Sequence, residues 1–229
     1  MITLINTPHQ SINILAFDTS GDEASVALWA NEKMHKASLP FGTGIHSQAA
    51  RLFSVIQELL REANMTFQDL NVIATPVGPG SFTGIRLGLA TAQGLILSTK
   101  AISFAPTTFQ NFAFGAWREQ TDFDGSLNAS SVDSFLVTLA TKRDSFYTQA
   151  FDKTLNVLFP ATISTEDEVK DMLAANSRMH RVEQLSILRA ESLIHLYFHI
   201  LKAGQSLPSI LHPYYLHDPE FVKQKLWSL

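Results

Sequence analysis

The chain has 229 residues, 45% of them hydrophobic and 17% charged, enough for one domain or two small ones with a real core. A formal net charge of −4 leaves no basic footprint for gripping nucleic acid unaided. With no cysteine, disulfides, thiolate metal sites and thiol catalysis are excluded.

Residues 1–11 have neither the basic start nor the apolar run of a signal peptide. No stretch reaches the roughly 20 apolar residues of a spanning helix. A soluble, cytoplasmic protein is the expectation. Ile12–Phe17 reads as a buried strand, Ser25–Trp29 as a second and Met34–Leu39 as a third, a β-meander whose first turn is Asp18-Thr19-Ser20-Gly21. Asp18 either closes an Asx-type turn or, as a carboxylate at a strand end, orients a metal–phosphate group. Gly42 and Gly44 mark a loop, and His46 precedes a helix start as a cap or surface residue. Ser47–Ala63 follows as an amphipathic helix, with Leu52, Phe53, Ile56, Leu59 and Leu60 on one face.

Val72–Thr75 is a short strand running into Pro76 and then Gly78-Pro79-Gly80-Ser81, a stiff glycine turn. After Thr83 the pattern is helical to Leu97, with Ser81 or Thr83 as the cap. Strand, glycine turn and helix N-terminus in that order form an anion seat. The loop is neither a Walker loop nor a full dinucleotide fingerprint, because the required lysine and third glycine are missing. Within the helix Gly84, Gly88 and Ala92 recur every four residues and form a stripe without bulk. Spacing alone favours tight packing on the chain's own sheet over contact with another subunit.

Ala101–Phe104 is a short strand, and Thr107–Trp117 a helix with Phe109, Phe112, Ala113 and Ala116 inward. Residues 119–133 are polar and read as a linker. Phe135–Leu139 and Phe146–Phe151 form a hairpin around Lys142-Arg143-Asp144, with a third strand at Leu155–Phe159. Glu166–Ala174 is a short helix, Ser177–Glu183 is irregular, and Ile187–Ala203 is a long helix stopped by Gly204. Pro208–Leu229 is an aromatic, proline-broken tail in which Lys223 and Lys225 make a weak case for phosphate contact.

No Gly-x-Ser-x-Gly is present to anchor Ser/His/Asp hydrolysis. His195 and His199 have metal-ligand spacing, yet they share a face with Glu191 and Lys202, read as the solvent side. The residue after His195 is Leu196, not the glutamate of a zinc protease, and no third ligand is evident.

Three stretches taken together resemble one family. ILAFDTS at 14–20, HSQAARLF at 46–53 and GPGSFTGIRLGLATAQGL at 78–95 are similar in order and wording to TsaB (also called YeaZ), and Pro213-Tyr214-Tyr215-Leu216 adds a late match. The resemblance implies an α/β protein of the actin/Hsp70/sugar-kinase (ASKHA) fold with two lobes, the second shortened. Residues 1–118 form the N-terminal lobe, 119–133 the linker, and 134–229 the smaller C-terminal lobe and tail. It implies a subunit that is not itself the catalyst, with no cofactor and no metal. Such a subunit dimerises with the TsaD-type transferase that places threonylcarbamoyl on adenosine beside the tRNA anticodon. A TsaE-type ATPase joins the complex, tRNA is touched only indirectly, no membrane is involved, and a homodimer is an alternative state.

The resemblance gives the partner interface to Leu52, Ile56, Gly84, Ile85, Gly88 and Ala92. It makes Asp18, Thr19, Gly78, Gly80, Ser81 and Thr83 the remnant of a phosphate-binding site. The chain departs from the family's pattern at Leu139-Ala140-Thr141-Lys142, which lacks an expected acid, and in the glycine-free region 176–188. A sparsely furnished interlobe cleft without ATP binding is the consequence expected. Two other readings are an ATP-dependent phosphotransferase of the same fold using Asp18, and a glycoprotease-like metallopeptidase using His195 and His199.

Overall fold

The computed structural model describes residues 12–21, 23–40, 45–120, 132–141, 143–183, 185 and 189–216. The Gly42/Gly44 loop, the His46 side chain, most of the expected linker and the tail lysines lie outside the described residues.

The meander forms as β1 (Ile14–Asp18), β2 (Glu23–Ala30) and β3 (Lys33–Pro40), paired antiparallel. β4 (Val72–Ala74) adds parallel to β1, and β5 (Ile102–Phe104) parallel to β4. The five-stranded order is β3-β2-β1-β4-β5. β1 is apolar up to its terminal Asp18 because both faces of this sheet are covered. Successive side chains of a strand point to opposite faces. Leu15 and Phe17 meet Leu52 and Ile56 of α1 (Ile45–Glu62) and Ala92 of α2 (Phe82–Ser98). Ile14 and Ala16 meet Phe114 of α3 (Thr108–Glu119) and Leu193, Ile194 and Tyr197 of α5 (Arg189–Lys202).

The second sheet has four strands in the order β8-β7-β6-β9. β6 (Ser134–Ala140), β7 (Phe146–Asp152) and β8 (Val157–Ser164) are antiparallel, and α4 (Glu166–Ala175) leads to β9 (Met179–Val182), which runs parallel to β6. The reading of 177–183 as irregular is corrected by β9. Its central His180 and Arg181 mask a strand whose outer residues Met179 and Val182 are buried. Arg181 is held by both oxygens of Glu166, at 2.7 and 2.9 Å. β8 also runs past Pro160, five residues beyond the expected end at Phe159. It is an edge strand, where a proline costs no ladder bond on its outer side.

α3 is shared between the sheets. Phe114 enters the first core, while Phe109, Phe112, Ala113 and Ala116 pack on Phe135, Val137 and Phe151 of the second. Residues 189–211, expected with the second lobe, return to the first sheet, while Tyr214 and Leu216 pack against the second core. α5 lies on its Ile14/Val72 face and ends at Gly204 (φ +66°), with Gln205 N donating to Ile200 O at 3.1 Å. The chain then runs beside β5 and α2, where Ala105 N donates to Pro208 O (2.7 Å) and Gln93 Nε2 to Leu211 O (3.2 Å).

Candidate functional site

The glycine turn, the first β-turn, the start of α3, the end of β6 and residues 214–216 line a cavity of about 790 Å³. Ser20, Gly80, Ser81 and Thr83 line it from the first lobe, and Thr141, Arg143, Ser145 and Tyr147 from the second hairpin. The expected sparse cleft is therefore corrected. The groups that furnish it are different from the family's acid and glycine turn, and Arg143, Tyr147, Arg189 and Tyr214 are among them.

α2 begins where the sequence places it. Ser81 is the N-cap, its Oγ accepting from Gly84 N at 3.3 Å, and Ser81 N donates to Ser20 O at 2.7 Å. Gly78 has φ +114°, a conformation side chains rarely adopt, and an added Cβ would come within 2.7 Å of Tyr214 O. Gly78 thus serves the approach of the 208–216 segment, whose Tyr214 N donates to Val77 O at 2.8 Å.

Asp18 and Thr19 do not face the cavity. Asp18 is fully buried, and its Oδ1 accepts from Ser20 N (2.8 Å) and Ser20 Oγ (2.6 Å), the Asx-turn reading of this residue. Its Oδ2 lies 3.5 Å from Arg189 Nε, an ion pair in which neither atom has a hydrogen bond. Thr19 Oγ1 donates to Gly84 O at 2.7 Å, deep in the first core. Of the six expected phosphate-site residues, Gly80, Ser81 and Thr83 meet at the cavity, while Asp18, Thr19 and Gly78 hold the surrounding fold.

Arg189, the first residue of α5, was not legible as a site residue. Its Nη2 donates to Glu23 O, Asn111 Nδ2 donates to its carbonyl at 2.9 Å, and Ala190 N donates to Ser25 Oγ at 3.0 Å. The guanidinium also presses on Gly21, where a Cβ would collide with it. No local motif announces it, because its partners lie 78 to 171 positions away.

The interface residues expected from the resemblance are all buried within the chain. Leu52, Ile56 and Ala92 belong to the first core, Ile85 packs with Val77 and Leu89, and Gly84 and Gly88 are buried. A Cβ on Gly84 would land on the Thr19 carbonyl oxygen. One on Gly88 would sit 2.7 Å from Thr19 Oγ1 and 3.0 Å from Thr75 Oγ1. The stripe lets α2 lie directly on the ends of β1 and β4, the packing that the spacing alone favours. The outward face of α2 carries Thr83, Arg86, Ala90, Gly94 and Leu97 instead. A Cβ at Gly94 would meet nothing within 4 Å, and Leu97 is 88% exposed.

His195 and His199 are half-buried rather than on a solvent face. His195 Nε2 is 3.8 Å from Glu191 Oε1, and the His199 ring packs against Phe114 and Trp117 with centroids 5.2 and 5.0 Å away. Burial lowers the pKa of both, with Arg118 adding to the effect at His195 and Lys202 at His199. Among the described residues no group of three or more His, Cys, Asp or Glu is placed to hold a metal, and no helix is long and apolar enough to cross a membrane.

Residues 40–106 match the family model of TsaD, tRNA N6-adenosine threonylcarbamoyltransferase. The chain is similar to the tRNA threonylcarbamoyladenosine biosynthesis protein TsaB of Escherichia coli K12, 37% identical over 108 residues, 47% of this chain and 46% of that one. It is 37% identical to TsaB of Buchnera aphidicola (subsp. Schizaphis graminum) over 106 residues, 46% of this chain and 49% of the relative. These matches span about half the length of the curated relatives. A tRNA N6-adenosine threonylcarbamoyltransferase of Clostridium botulinum is 34% identical over 104 residues, 39% of this chain and 31% of that one. Among solved structures, YeaZ from Pseudomonas aeruginosa aligns with TM-score 0.67 at 22% identity, covering 90% of this chain and all of that one. The fold is that α/β architecture.

Proposed function

We propose that this chain is a member of the TsaB (YeaZ) family and a subunit for threonylcarbamoyladenosine formation in tRNA, and that it acts by docking on a TsaD-type transferase. In this reading it is a cytoplasmic scaffold without chemistry of its own. The transferase contacts tRNA, a TsaE-type ATPase binds the assembled pair, and a homodimer forms when the transferase is absent.

The observation that carries the docking surface is the outward face of α2. A glycine with open space around it, Gly94, lies between exposed Ala90 and the 88% exposed Leu97. Glycine costs a helix interior about 1 kcal/mol relative to alanine, so one that relieves no internal clash is accounted for by close approach of something outside. Phe53, 42% exposed on α1 and stacked on Phe67 at 5.4 Å, extends the apolar surface on the same side of the sheet.

The test is to mix the chain with the TsaD-type protein of its own organism and measure mass by size exclusion with light scattering. A one-to-one complex that Gly94→Leu abolishes, while the variant melts no lower than the wild type, is the expected result. A complex retained by Gly94→Leu and by Leu97→Arg overturns the surface, and no complex at all overturns the scaffold reading.

A further inference from the structure

A carboxylate at the end of β1 could orient a divalent cation carrying phosphate, but the residues around Asp18 do not fit that ion. Both oxygens of Asp18 are committed, one to the Ser20 turn and the other to the Arg189 ion pair, and the side chain is fully buried outside the cavity lining. A divalent cation beside Asp18 would sit against a guanidinium of the same charge sign.

We propose that the interlobe cavity takes an organic monophosphate directly, on Arg189, Arg143, Thr108 and the first turn of α2, with no divalent cation. Arg189 pairs with Asp18 on one side and lines the cavity on the other. Arg143 reaches the cavity from the β6–β7 turn. The carboxylate at the cavity, Glu183, is held 2.6 Å from Arg181 Nη2, which offsets its charge.

The polar atom that points to a ligand is Thr108 Oγ1. Thr108 lines the cavity, is 1% exposed, and its hydroxyl has no partner, although burying an unpaired hydroxyl costs about 1–3 kcal/mol. Across the cavity, the first-turn N–H groups of Phe82 and Thr83 have no carbonyl four residues back within α2, and the helix dipole places positive charge there. Phe112, Tyr147 and Tyr214 supply apolar and aromatic wall beside these donors, and 790 Å³ is in the range of small-molecule sites. A flat, apolar body bearing one phosphate fits that division. The proposal does not depend on the transferase, since the isolated chain contains the whole cavity.

The experiment is calorimetry and thermal shift on the full chain with sodium phosphate, AMP and magnesium-ATP, each with EDTA or magnesium, at ionic strength fixed with sodium chloride. Saturable binding of AMP that EDTA leaves unchanged is expected, tighter than inorganic phosphate by tenfold or more. Thr108→Val, which keeps shape and removes the hydroxyl, should weaken AMP at least fivefold. Arg143→Gln, at an exposed turn, should do the same without lowering the melting temperature. Binding of phosphate as tight as AMP would overturn the aromatic-wall assignment. Binding only with magnesium, no saturable binding, or unchanged affinity in both variants would overturn the site.

Discussion

The two sheets of this molecule bury their strands by different means. The first is covered on both faces, by α1 and α2 on one side and by α5 with part of α3 on the other, and β1 has no polar residue before Asp18. The second has α3 on one face and the short α4 on the other, and its edge strand leaves Val157, Leu158 and Phe159 about half exposed. The family-model match, 40–106, lies wholly in the first region. Tight packing there depends on the absence of Cβ atoms, as at Gly84 and Gly88, whereas the second sheet tolerates a proline in the middle of a strand. Constraint on sequence therefore follows how completely the faces are covered.

That contrast can be broken most sharply at Gly84. Gly84→Leu drives a side chain into the Thr19 carbonyl at the strand end, where nothing flexible can yield. Loss of about 3 kcal/mol or more is expected, read as aggregation or a collapsed melting temperature. Gly94→Leu on the same helix, with open space, should instead gain up to about 0.8 kcal/mol in urea unfolding. If both variants behave alike, the packing account of the stripe is wrong.

A loss comparable to that at Gly84 is expected from Ile56→Ala, about 2–5 kcal/mol, because a fully buried side chain between α1 and the first sheet leaves a cavity. Phe159→Thr on the exposed edge of β8 should stay within about 0.5 kcal/mol. Urea melts of the pair would sharpen the comparison of the two sheets.

The pH response is expected to be milder still. The half-buried His195 and His199 have folded pKa values below their unfolded value of about 6.5, so the unfolded state binds more protons. Their stability contribution is present above that value and is lost as pH falls through it toward the folded values. Melts between pH 7.5 and 5.5 should decline, and His199→Phe, which keeps a ring against Phe114 and Trp117, should flatten the decline. A flat wild-type profile would refute this.

Much of the fold was legible from local chemistry. The meander, the amphipathic α1, the Ser81 cap and the stop at Gly204 each follow from pattern or capping within a few residues. β9 was not, because four residues with two charged or polar centres become a strand only through the parallel ladder with β6. The candidate site divides the same way. Gly80, Ser81 and Thr83 announce themselves in one turn, while Thr108, Arg143 and Tyr214 reach the cavity only through the packing of α3, the second hairpin and the returning chain.

By itself the sequence determined the order of elements apart from β9, the absence of thiol chemistry and the close approach implied by Gly84, Gly88 and Ala92. Spacing favoured the chain's own sheet as what approaches them, while the resemblance pointed to a partner, since a small-residue face suits a sheet inside or a helix outside. Only the tertiary structure decided that Thr19 and Thr75 fill that space, which turns the exposed side of α2 to Ala90, Gly94 and Leu97. It likewise decided the fate of Asp18. A carboxylate at a strand end is a metal ligand or a turn anchor according to its neighbour, and that neighbour, Arg189, comes from 171 residues further along the chain.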